Sequence, residues 1–192
     1  MKIKKLKIDE DRFNHIKWVL LITLWTFCLS VFMSFFSDII LRNTNLVISF
    51  LLLLFIIITG IIFDIIGIAV AAADERPFHS MASGKVSGSA QSIKLIKNAS
   101  KVSNICNDVI GDICGIISGA SATFIVVKTV QLYPGINLGL FTVFISSLVA
   151  ALTVGGKAIG KDIAINYSKS IIAICGRILF SFERIFKITF FK

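Results

Sequence analysis

Apolar residues in this chain come in long unbroken runs, not in the three-and-four spacing of a soluble helix. Four runs stand out. Residues 18–37 hold 20 uncharged positions. Residues 46–73 contain no Lys or Arg and a single acid, Asp64. A third run starts at Asn107 or Asp108 and ends near Val127, and a fourth, 136–156, has 21 positions without a charge. At 1.5 Å per residue, runs of this length reach across a hydrocarbon core about 30 Å thick. The pattern predicts an all-α integral membrane protein with four transmembrane helices.

The stretches between the runs differ in kind. Residues 1–15 are basic and polar, and the first span falls within 16–40. That first run is longer than the core of a signal peptide, and no small-x-small cleavage site follows it, so it is expected to stay as a helix. His15 at its mouth reads as an interfacial residue. A transmembrane domain is expected over 46–164, with spans at 46–75, 107–128 and 136–157 and a cytoplasmic segment at 76–106. Pro77 stops the second span. Serines and glycines from Ser80 to Ser89 loosen the chain, and Ile93, Ile96 and Val102 then alternate with Lys94, Lys97 and Lys101. This is the pattern of a short amphipathic helix on the inner membrane surface, with a solvated loop as the alternative. In 165–192 Ile, Leu and Phe are interleaved with Arg177, Arg184, Lys187 and Lys192, which predicts a basic interfacial C-terminal helix. A fifth span over 168–192 is the alternative.

Charge changes the picture by its placement. The net charge is +9, with 16% charged residues and a mean hydropathy of +0.89. Six Lys or Arg precede the first span, five lie between the second and third, seven follow from Lys157 onward, and the other two connections hold one each, Arg42 and Lys128. By the positive-inside rule the N-terminus, the C-terminus and the middle segment are cytoplasmic. The excess charge is thus topology and contact with a lipid bilayer of anionic inner-leaflet headgroups, not nucleic-acid binding. Cys28, Cys106, Cys114 and Cys175 have no CxxC spacing and read as packing thiols.

Candidate chemistry lies on the small-residue stripes. On a helical wheel Gly60, Asp64, Gly67, Ala71 and Glu75 share one side of the second span. Asn104, Asp108, Gly111, Asp112, Gly115, Gly119 and Ala122 share one side of the third. Ser146, Ala150, Thr153, Gly156 and Gly160 do so on the fourth. Gly60, Gly67, Gly111, Gly115, Gly119, Gly156 and Gly160 are therefore expected as helix-packing positions, where small residues let backbones approach. Asp108 also suits an N-cap. An acid within a span faces protein or water. Helices meeting along these stripes would gather Asp64, Asp74, Glu75, Asn107, Asp108 and Asp112. That oxygen-only set suits a hard divalent cation such as Mg²⁺, and proton coupling through Asp64 is a further option. His79 has no partner in sequence. No paired nucleophile and base, phosphate loop or HExxH helix appears, so no enzyme is expected.

Over residues 46–192 the chain resembles the membrane domain of the CorB/CorC/CNNM family of magnesium and cobalt transport proteins. Ala72-Ala73-Asp74-Glu75 stands at the family's Ser-x-Ser-Glu-x-Ala type motif. Asn107-Asp108 and Gly111-Asp112 stand near its Asn/Gly-rich span. Gly156-Lys157-Ala158-Ile159-Gly160-Lys161 has the spacing of its Gly-Glu-x-x-Pro-Lys exit. The resemblance implies a homodimer that binds or moves Mg²⁺ or Co²⁺. Departures from the pattern support a second expectation. Ala72 and Asp74 replace the two serines, Lys157 the glutamate and Gly160 the proline. The paired CBS module is not in this sequence, and a separate CBS-type regulatory subunit is a candidate partner. A non-transporting membrane scaffold or regulatory subunit that keeps the fold without the ion site is the alternative function.

Overall fold

The computed structural model describes residues 2–42 and 44–186, with side chains placed for 16–41 and 44–185. Every regular element among them is helical, and four helices are long and apolar enough to cross a membrane: Ile16–Leu41, Leu46–Ala72, Ala99–Leu132 and Leu138–Asn166. The chain is a multi-pass membrane protein by that measure. It falls into two compact units, residues 1–44 and 45–192.

The first unit is one helix, α1 (Lys2–Arg42). The basic segment expected as a separate 1–15 tail runs continuously into the span as helix. The side chain of His15 lies outside the described residues, as do Lys187 and Lys192 at the other end.

The second unit is built around α2 (Leu46–Ala72). Asn45 caps it, its side chain accepting from the Ile48 N–H at 3.0 Å. The helix ends at Ala73, where the backbone turns extended. Then α3 (Arg76–Ser83) starts with Pro77 in its first turn, where a missing N–H costs nothing. A tight turn follows through Lys85 and Gly88, both at positive φ. Next come α4 (Ser89–Lys97) and α5 (Ala99–Asn104). The helix continues without a break through a π-helical segment, Ile105–Gly111, into α6 (Asp112–Leu132). The third spanning helix therefore begins at Ala99, earlier than the apolar run implies. Lys101 and Asn104 mask its first turns in the hydropathy pattern.

Asn137 caps α7 (Leu138–Asn166), accepting from the Leu140 N–H at 3.2 Å. That helix runs past the expected exit at 157. After Tyr167 the chain begins α8 (Ser168–Phe186).

Packing follows from the small residues of α2, which touches α5, the π segment, α6, α7 and α8. Towards its Leu46 end, Leu53 and Ile57 are buried against Ala122, Ile125 and Val126 of α6 and Ile145 and Val149 of α7. Towards its Ala72 end, Ala69 and Val70 join Phe78, Leu95, Val102, Cys106, Ala164 and Ile172 in a second apolar cluster. Asp64 sits on α2 at the level between these two clusters.

Candidate functional site

Glycine lets three helices close on that level. A Cβ at Gly60 would meet the Cβ of Cys114 at 3.0 Å, and one at Gly67 would overlap the side-chain amide of Asn107. On α7, Gly156 and Gly160 receive the side chains of Ile61 and Ile65. A Cβ at Gly111 would stand 3.7 Å from Lys157 Nζ. Five of the seven expected glycines therefore lie at helix contacts. Gly115 and Gly119 do not: no atom lies within 4 Å of a Cβ built on either. They face an open groove of about 280 Å³ between α6 and α7, shared with Ala122, Ser146, Ala150 and Thr153.

Asp64 enters this level from α2 and Lys157 from α7. Their Oδ1 and Nζ atoms are 3.5 Å apart. Asp64 is 13% exposed and Lys157 32%. Both lie about 27–28 Å along their helices from the Leu46 and Leu138 ends. That places the pair near the far edge of a 30 Å core rather than at its centre. The cavity beside the amino group, lined by Gly60, Ile61, Gly111, Cys114, Thr153 and Lys157 among others, measures about 10 Å³. That is at the lower limit for one water molecule.

Asn107 reaches the same level from the π segment. Its Nδ2 donates to Ser103 Oγ at 3.3 Å. Its Oδ1 is buried against Gly67 and has no hydrogen-bond partner. A buried amide oxygen left unpaired costs roughly 1–3 kcal/mol, and among the described residues this is the buried side-chain acceptor without a partner.

The remaining candidate ligands go elsewhere. Asp74 is exposed, and its Oδ1 accepts from the Arg76 N–H at 3.1 Å, a local turn contact. Glu75 Oε1 lies 3.0 Å from His79 Nε2 and 3.5 Å from Lys97 Nζ, tying the start of α3 to α4. His79 thus does have a partner, one helical turn away. Asp108 and Asp112 are exposed on the outer side of their helix. Among the described residues no group of three or more His, Cys, Asp or Glu is placed to hold a metal ion. The six proposed ligands are therefore not turned to one point: Asp64 and the Asn107 amide oxygen face into the bundle, Asp74, Asp108 and Asp112 are exposed, and Glu75 is engaged by His79 and Lys97. An Asp and an Asn supply two hard oxygen donors, short of the six that Mg²⁺ prefers even with several waters retained.

Sequence reasoning passes over Lys157 as the partner of Asp64, although a signal is present. Counted from the polar turns that precede their spans, the two residues sit at nearly equal depth, and opposite charges at equal depth in neighbouring apolar helices tend to pair. No family model, no curated protein and no solved structure matches the chain.

Proposed function

We propose that the chain is a CorB/CNNM-like membrane subunit that does not itself carry ions, a scaffold or regulatory partner whose bundle is closed by a tethered cation. The observation that carries this reading is the Lys157 ammonium 3.5 Å from Asp64. An ammonium on that carboxylate neutralises the acid that would otherwise attract a divalent ion, and no diffusing cation is needed. The cavity of about 10 Å³ beside it supports the same reading, because Mg²⁺ usually keeps several of its waters. By resemblance the protein is a homodimer, and a CBS-type regulatory subunit is a candidate partner. The basic excess at both ends and between the second and third spans supports an orientation in a cell membrane with both termini cytoplasmic.

One observation favours the transport reading instead. The unpartnered Oδ1 of Asn107 is the kind of buried oxygen a Mg²⁺ or Co²⁺ ion would satisfy. The two readings part in liposomes. Purified protein is expected to admit Mg²⁺ or Co²⁺ no faster than empty vesicles, and calorimetry is expected to show no saturable heat for either ion. Saturable binding that Asp64→Asn or Asn107→Ala abolishes would overturn the proposal and establish an ion site.

A further inference from the structure

The C-terminal helix has more apolar surface than its packing uses. One face of α8 is consumed by the fold. Ile172 is fully buried, and Ser92 Oγ donates to the Ile172 carbonyl at 3.0 Å. Gly176 lies against Gly88 and Ser92, so close that a Cβ on Gly176 would overlap Ser92 Oγ. Gln91 Nε2 donates to Glu183 Oε2 at 2.8 Å. These contacts fix the rotation of α8 on α4.

With that rotation fixed, a second apolar face points away from the bundle. Ile174, Ile178 and Ile185 are 55%, 53% and 73% exposed, and Phe182 is also exposed. At 100° per residue these four side chains fall within about 80° of one another. Arg177 and Arg184, both exposed, form a row along one edge of the stripe. Glu183, the one acid on α8, is turned to Gln91 on the packed side. The helix starts directly after Tyr167, which is exposed at the end of a helix apolar enough to cross a membrane. A tyrosine at that position is where aromatic residues gather at a bilayer surface.

We infer that this outer face of α8 lies in the membrane interface, with Ile174, Ile178, Phe182 and Ile185 among the acyl chains and Arg177 and Arg184 on anionic lipid headgroups. An exposed apolar row with a cationic edge matches the two layers of an anionic leaflet, greasy below and negative above. The match does not depend on whether the bundle carries ions. A soluble acidic partner would meet the arginines but leave the isoleucine row in water. A second copy of the chain would set its own arginine row against this one.

Tryptophan fluorescence tests this in the full chain. Its only tryptophans, Trp18 and Trp25, are in α1 and can be changed to Phe. Ile178→Trp then reports the stripe, and Lys169→Trp, on the far side of α8, serves as reference. In vesicles of phosphatidylcholine and phosphatidylglycerol, Ile178→Trp is expected to be quenched by brominated lipid and spared by iodide, with the reverse for Lys169→Trp. Brominated phosphatidylglycerol is expected to quench Ile178→Trp more than brominated phosphatidylcholine does, and changing Arg177 and Arg184 to Gln is expected to lower that local preference for anionic lipid about fivefold per residue. Phe182→Trp repeats the measurement on the same stripe should Ile178→Trp fail to assemble. Iodide quenching of the stripe equal to that of Lys169→Trp would overturn the inference. So would a stripe shielded from both quenchers, which means protein contact, or equal bromide quenching at both positions, which means a spanning α8. Indifference to the arginine changes would remove the anionic headgroups from it.

Discussion

Asp64 and Lys157 show how much one residue pair decides in this bundle. Each sits on a helix too apolar to tolerate it alone, and the pair lies between two apolar clusters. Removing one partner of a fully buried pair costs roughly 3–5 kcal/mol. Lys157 is 32% exposed, so a smaller penalty, about 2 kcal/mol, is expected for Lys157→Met. Adding Asp64→Asn to it is expected to return most of that loss, because no orphan charge remains. Thermal unfolding of the parent, both single variants and the double variant in detergent gives the coupling directly. Equal melting temperatures for Lys157→Met and the parent would mean that the pair does not hold the bundle. At this scale the stripe on α2 is legible in the sequence: Gly60, Asp64 and Gly67 do face other helices. The helical wheel misplaces the acids of the third span. Its inward line is Ile113, Ile117, Ser118, Ser121 and Ile125, while Asp108, Asp112, Gly115 and Gly119 fall to the outer side. Glycine is a poor guide to the contact face of this helix, and buried serine is the better one. The side-chain hydroxyl of Ser118 is satisfied within its own helix, by the Gly115 carbonyl at 2.8 Å, so it enters the interface with its donor already used.

Among the elements, the spans are the easiest to read from sequence, since an uncharged run of about 20 residues is long enough to cross the bilayer core and too apolar for a solvated helix. Two features are hidden. The π segment Ile105–Gly111 carries no sequence mark, yet its wider turn changes which side chains reach α2, and Asn107 meets Gly67 from within it. The crossing of α4 and α8 depends on Gly88 and Gly176, one in a serine-rich segment and one in a basic helix, where neither stands out by pattern. Gly88 is needed twice, once for its φ of 85° and once because a Cβ there would stand 2.6 Å from the Arg177 backbone nitrogen. Gly176→Val is therefore expected to lift α8 from α4. Cys175, the neighbouring residue, reports the change. Burial pushes its thiol above the ordinary range, so less thiolate is present at a given pH and alkylation is slow. Released from α4, Cys175 is expected to regain an ordinary thiol pKa and to alkylate severalfold faster at pH 8, measured peptide by peptide with mass spectrometry. An unchanged rate would show that the glycine crossing does not set the position of α8.

At the scale of the whole molecule, two glycines stand out as unused. A glycine inside a helix costs about 1 kcal/mol relative to alanine, and Gly111 recovers part of that by admitting Lys157. Gly115 and Gly119 bear the same cost, yet a Cβ built on either would meet nothing within 4 Å beyond the backbone of its own helix. With Ala122, Ser146, Ala150 and Thr153 they leave a groove where another helix backbone would fit closely. A homodimer in which this groove receives the partner's helix would recover the cost in van der Waals contact. A Cβ at either position meets nothing within 4 Å, so Gly115→Leu and Gly119→Leu are expected to fill the groove and to leave the melting temperature of the monomer unchanged or slightly raised. If the proposed homodimer closes through this groove, each is also expected to convert it to monomer by mass photometry in detergent and by crosslinking in vesicles. The alanine variants discriminate further. In a monomer both gain helix propensity, whereas in a dimer closed on bare backbone both lose affinity. Dimers that persist with leucine at both positions would place any self-association elsewhere and leave the groove to lipid chains.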